Sequence, residues 1–154
     1  GTFCTAMESI MFDSILIVCT GNICRSPIAE RLLRQLLPDK KIDSAGMAAL
    51  VGHSADEGAI VTAGKHQLLL DNPRATQFTS ALGRQYDLIL VMEKLHQEQI
   101  SRISPEARGK IMLLGHWLGQ REIPDPYRKS QEAFESVYRL INQACQSWLQ
   151  KLNG

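Results

Sequence analysis

No apolar run in this 154-residue chain approaches the ~18 to 20 residues that span a bilayer. Its first ten residues, GTFCTAMESI, have neither the basic nor the apolar stretch of a secretory signal. A cytoplasmic protein without membrane insertion is therefore expected. Seventeen Lys and Arg against sixteen Asp and Glu leave a net charge of +1 and no basic block, which argues against nucleic acid as a partner. Cysteine is scarce: Cys4, Cys19, Cys24 and Cys145 lack the paired spacing of a zinc site and are too few for a disulfide scaffold. His53, His66, His96 and His116 form no H-x-x-x-H pair. No metal is expected, and each histidine is read as a surface or core-edge side chain.

What remains is an ordinary globular composition, 44% hydrophobic, long enough for one α/β core and too short for two. Residues 1–10 carry no periodic pattern and precede a second methionine at position 11, so they are read as an expression-tag remnant or a disordered N-terminus. The domain is taken as 11–154. Ser14 to Cys19 (SILIVC) reads as a buried strand, TGN as a turn, and Pro27 to Leu37 as an amphipathic helix with Ser26 at its N-cap and Pro27 at N1. Further strands are expected at Lys41 to Ala45, Asp87 to Met92 and Lys110 to Leu114. Helices are expected at about Ala55 to Leu68 with a Ser54/Glu57 capping box, from Thr79, at Lys94 to Ile103, and at about Ser130 to Leu152. This alternation predicts an α/β fold with a parallel sheet wrapped on both faces. In the last helix Phe134, Val137, Tyr138, Ile141, Cys145, Trp148, Leu149 and Leu152 share one stripe, which makes Cys145 a packing residue. The connection from Gly115 to Lys129 is long for such a domain, and long connections often carry function.

Ligands of open parallel sheets bind beyond the carboxyl ends of the strands. Here the first strand ends in Cys19-Thr20-Gly21-Asn22-Ile23-Cys24-Arg25-Ser26, running into a helix. A single glycine excludes both the G-x-G-x-x-G and the G-x-x-x-x-G-K-[ST] nucleotide loops, yet successive N–H groups at a helix N-terminus still form a phosphate nest. With five residues between them, Cys19 can sit beneath a phosphorus while Arg25 forks onto two of its oxygens. The nest, Arg25 and the helix dipole favour a thiolate, to which Ser26 can donate. Asp125, before Pro126 in the long connection, suits a general acid for a phenolate leaving group. Asp13 and Asp87 read as turn residues.

VCTGNICRSP and PDPY, in this order and spacing, resemble the low-molecular-weight protein tyrosine phosphatases, and the resemblance covers about Phe12 to Leu152. It implies a three-layer α/β/α fold with a four-stranded parallel sheet, Cys19 as nucleophile, Arg25 as phosphate clamp, Asp125 as acid, and no metal or cofactor. Thr20, Gly21, Asn22, Ile23, Cys24 and Ser26 would bind substrate with the cleft walls Leu50 and Tyr127, and Asn22 and Ser44 would hold the loop. A reversible Cys19–Cys24 disulfide under peroxide is implied as well. Pro73-Arg74-Ala75-Thr76 replaces the His and Ala-Arg of many relatives, so one support of the loop is expected to be missing or replaced. DPYR instead of the mammalian DPYY, and Leu50 where some relatives carry Trp, should shift substrate preference.

The sequence is most similar to Gram-negative members acting on membrane tyrosine autokinases of capsule and exopolysaccharide export. A monomer acting on such a phosphotyrosine protein is the expectation. Arsenate reduction would need further relay cysteines. A phosphocysteine carrier would need neither Arg25 nor Asp125, and a phosphotyrosine-binding module built on a dead phosphatase would not keep all three catalytic side chains.

Overall fold

Two of the four strands are apolar on both faces, and that dictates where they lie. Every residue of Leu88–Val91 is buried, as are five of the six in Ser14–Cys19, a pattern that only the interior of a covered parallel sheet satisfies. In the computed structural model, which describes residues 12–70 and 74–153, the strands are β1 (Ser14–Cys19), β2 (Lys41–Gly46), β3 (Leu88–Val91) and β4 (Ile111–Leu113). Their order is β2-β1-β3-β4 and every pairing is parallel. The register sets Cys19 opposite Gly46 and Val18 opposite Val91, so three strands end at one level.

The helices are α1 (Arg25–Leu36), α2 (Glu57–Lys65), α3 (Ser80–Gly83), α4 (Lys94–Ile103) and α5 (Gln131–Asn153). Alternation along β1 divides the core. Ile15 and Ile17 pack with Ile28, Leu33, Phe134 and Trp148 on the side of α1, α2 and α5, while Leu16 and Val18 pack with Phe78, Tyr86 and Ile100 on the side of α3 and α4. The expected three-layer α/β/α architecture is thus present. The stripe on α5 faces the core as its spacing predicts, Cys145 fully buried and Leu149 partly so, and the Trp148 indole donates to Leu114 O at 2.8 Å, tying the helix to the sheet. Asp87 behaves as a turn residue, its carboxylate accepting from the Asp13 and Ser14 amides.

Several local expectations are corrected. Helix α1 begins at Arg25 with Cys24 at the N-cap and no capping side chain, because the Ser26 hydroxyl is turned toward Cys19 instead. Helix α2 is capped by Asp56, whose carboxylate accepts from the Gly58 amide, and not by a Ser54/Glu57 box. It stops at Lys65, three residues short of expectation, where Gln67 takes a left-handed φ of 60°. A 3₁₀ turn at Pro105–Lys110 takes the first residue expected of β4, and a second at His116–Leu118 orders part of the long connection. Residues 1–10 and Pro73 lie outside the described residues.

Gly46 illustrates how tightly the carboxyl edge is closed. A Cβ there would overlap the Thr20 carbonyl oxygen and press on Asn22, and no backbone can yield without opening the β1–β2 pair. Gly46→Ala is expected to lower stability by about 1 to 3 kcal/mol and to reduce activity as well. Urea unfolding together with turnover of an aryl phosphate checks this; an unchanged midpoint would refute the close approach.

Candidate active site

The segment from Cys19 to Arg25 leaves β1 and enters α1 in a single tight loop, and its carbonyls are tied outward. Cys19 O, Thr20 O and Gly21 O accept from the amides of Met47, Ala48 and Leu50, and Ile23 O accepts from Asp56, all at 2.8 to 3.1 Å. With four carbonyls committed to neighbouring segments, the loop amides are left to face inward, as an anion nest requires. The strap 47–49 is itself fixed by Gln77, which accepts from Ala49 N and donates to Met47 O. Nothing in the sequence signalled Gln77.

Asn22 braces the loop from behind. Its backbone is left-handed, φ 59°, a conformation that asparagine tolerates better than most residues. The side chain makes three bonds: Nδ2 donates to Ser26 Oγ at 2.7 Å and Ser44 Oγ at 2.9 Å, and Oδ1 accepts from Thr76 N at 2.9 Å. The Asn22 amide points at Cys19 Sγ, 3.3 Å away. Ser26 Oγ, already accepting from Asn22, directs its own proton to Cys19 Sγ at 2.9 Å. Beyond Ser44 lies Glu30, whose carboxyl is pushed up from its ordinary value by burial. Near the departure at Pro73-Arg74-Ala75-Thr76, the loop is supported by the Thr76 main chain.

Arg25 is 1% exposed. Its Nη1 donates to Glu93 Oε2 at 2.6 Å and to Ile123 O at 2.8 Å. Both hydrogens on Nη1 are thereby used. The Nε and Nη2 edge of the fork remains for a ligand, with Asp125 Oδ2 3.7 Å from Nη2. A buried guanidinium needs such a carboxylate, and Glu93 supplies it from the N-cap of α4. Asp125 is half-exposed and held by an Asx turn, Oδ1 accepting from the Tyr127 amide at 3.0 Å.

A cleft of ≈ 180 Å³ opens over this floor. It is lined by Cys19, Thr20, Gly21, Ile23, Cys24, Arg25, Asp125, Leu50 and Tyr127, with Ala48 added to those expected. Asn22 and Ser26 stand behind the loop and off the cleft surface, at 4% and 0% exposure. Cys24 lines the cleft, but its thiol is pushed up by burial first and by Asp56, Asp125 and Cys19 next.

His96 corrects the reading of the histidines as surface or core-edge groups. It is fully buried. Its Nδ1 accepts from Glu93 N at 3.2 Å, which leaves the proton on Nε2 to be donated to Thr20 Oγ1 at 2.9 Å. Burial, then the Arg25 charge, pushes it down to about 4, against the opposing pull of Glu93, Asp125 and Glu122. This neutral ring thus joins α4 to the residue after Cys19.

Comparison with known proteins places these features in a group. The family described as low molecular weight phosphotyrosine protein phosphatase matches residues 14–154. The low molecular weight protein-tyrosine-phosphatase Wzb of Escherichia coli K12 is 54% identical over 94% of this chain and 98% of its own length, and Etp of the same strain is 53% identical over 96% and 99%. The crystal structure of the tyrosine phosphatase Wzb from Escherichia coli K30 in complex with sulphate superposes with a TM-score of 0.90 at 69% identity, covering 92% of this chain and 99% of that one.

The buried neutral His96 has a consequence for pH. Its folded value near 4 lies below the ordinary 6.5, so between those values the unfolded chain binds a proton that the folded chain refuses. Stability is therefore expected to fall by about 3 kcal/mol as pH drops from 6.5 to 4. His96→Gln, which can still donate to Thr20, should flatten that window in urea unfolding measured across pH. A slope identical to that of the parent would exclude His96 as the source.

Proposed function

The chain belongs to the low-molecular-weight phosphotyrosine protein phosphatase family and is a protein-tyrosine-phosphatase; we propose that Cys19, Arg25 and Asp125 carry its chemistry through a phosphocysteine intermediate. The observation that bears most weight is the placing of Cys19 Sγ against the Ser26 proton, with the free edge of the Arg25 fork, in one cleft. The Cys19 thiolate attacks phosphorus in line with the ester oxygen. As that P–O bond breaks, Asp125 gives its proton to the departing phenolate, and the Nε and Nη2 donors of Arg25 hold two equatorial oxygens. In the second step the Asp125 carboxylate takes a proton from water, whose oxygen attacks the phosphocysteine. Inorganic phosphate leaves, the P–S bond breaks, and the electron pair returns to sulfur, where Ser26 again donates.

Thr20, Gly21, Ile23 and Cys24 provide the nest, Asn22 and Ser26 hold it, and Leu50 and Tyr127 clasp the aryl stem. A long flat stem reaches the floor where the short stem of phosphoserine does not, and contact with Tyr127 adds about 1 kcal/mol. The finer reading is a cytoplasmic monomer acting on a membrane tyrosine autokinase of polysaccharide export. Its support is the likeness to the Gram-negative members named Wzb and Etp. No helix of the described residues is long and apolar enough to cross a membrane.

Turnover of p-nitrophenyl phosphate in EDTA, with phosphotyrosine peptides preferred over phosphoserine peptides by well over tenfold, is expected. Asp125→Ala should bind substrate while losing turnover by about 10²-fold or more. Arg25→Lys should cost several kcal/mol in kcat/KM, since a point charge cannot fork onto two oxygens. A phosphoenzyme trapped on a residue other than Cys19 would overturn the mechanism. Arsenate reduction by thiols at a comparable rate would favour the reductase reading. Indifference among phosphorylated kinases would remove only the partner.

A further inference from the structure

The residue that follows the cleft wall has an unusual setting. Arg128 adopts a left-handed backbone, φ 62°, in the turn closed by Lys129 N donating to Pro126 O at 2.9 Å. A side chain other than glycine or asparagine holds that conformation at a cost, and such departures gather where a side chain must be aimed. The guanidinium of Arg128 lies over the Tyr127 ring, 5.3 Å from its centroid. Tyr127 in turn lines the cleft with Leu50. Arg128 is exposed and belongs to no ion pair among the described residues.

Two arginines therefore serve this cleft at different depths. Arg25 is buried in the floor and neutralised in large part by Glu93. Arg128 stands on the rim with its charge uncompensated, backed by an aromatic face that fixes its position at little cost in further ordering. A phosphotyrosine seated between Leu50 and Tyr127 brings its own peptide flanks to that rim. We propose that Arg128 is a specificity residue that selects phosphotyrosine followed or preceded by an anionic group, a carboxylate or a second phosphate. This rests on the reading of the cleft given above, and it adds a determinant outside the reacting centre.

The test compares four substrates at low and high salt: p-nitrophenyl phosphate, a phosphotyrosine peptide with neutral neighbours, the same peptide with Glu on both sides, and the same peptide with a second phosphotyrosine. The anionic peptides are expected to exceed the neutral one by about two- to fivefold in kcat/KM at low salt, through KM, as an exposed ion pair allows. The preference should shrink toward unity at high salt and in Arg128→Gln. It should survive in Arg102→Gln, which removes an equal charge at the far end of α4. Preference for the doubly phosphorylated peptide alone would name phosphate as the recognised group, and equal preference for both would name charge.

Two results overturn the proposal: the same preference in Arg128→Gln as in the parent, or an equal loss on all four substrates, which would place Arg128 on the reacting phosphate. Absence of turnover on p-nitrophenyl phosphate by the parent protein would instead count against the reading of the cleft itself, so the two failures remain distinct.

Discussion

A loop that converges several amides on one centre has to be held open against its own electrostatics, and the rest of this structure depends on how that is done. Converging N–H dipoles repel one another until an anion arrives, and an unbraced loop would turn some of them outward. Here each outward-facing carbonyl is taken up by another segment: the strap from Met47 to Leu50 takes three and Asp56 one. Asn22 then joins the loop to α1, to β2 and to the segment at Thr76. The bracing is distributed over elements brought together only by the parallel order β2-β1-β3-β4, so preorganisation is a property of the whole carboxyl edge. This is the arrangement that makes electrostatic catalysis effective, because the donors need not reorganise as charge shifts onto the phosphoryl oxygens.

The charges follow the same logic. Arg25 is the one strongly buried cation at the floor, and Glu93 fixes both its charge and its plane. A second cation beside it would be costly, and His96, although in reach of the same groups, stays neutral and serves as a donor of fixed tautomer. The positive potential in the cleft therefore comes from dipoles and one guanidinium. An adaptable rim is left to exposed side chains that salt and substrate can address.

Much of this was legible in the residues. The apolar runs of β1 and β3, the stripe on α5 and the Cys-x5-Arg spacing are local patterns, and each appears where its periodicity placed it. The cleft walls Leu50 and Tyr127 came from resemblance and do line the pocket. What was missed depends on long-range pairing. Glu93, Gln77 and Ile123 O are ordinary in sequence and acquire meaning only when the fold carries them to the loop. His96 looked like one scattered histidine among four because its partner, Thr20, is 76 residues away. The start of α1 was misplaced for a related reason: Ser26 resembles an N-cap, yet a stronger use for its hydroxyl exists against sulfur.

The brace at Thr76 is made by a main-chain N–H, not by the side chain. Every amino acid except proline carries that donor, so the support is written into the path of the chain and not into the letter at that position. Residue 76 is in this respect free to drift through evolution while Asn22 and the path of the backbone must stay. A change of side chain at position 76 thus leaves this brace of the loop in place, and the letter there is a poor guide to whether the loop keeps its shape.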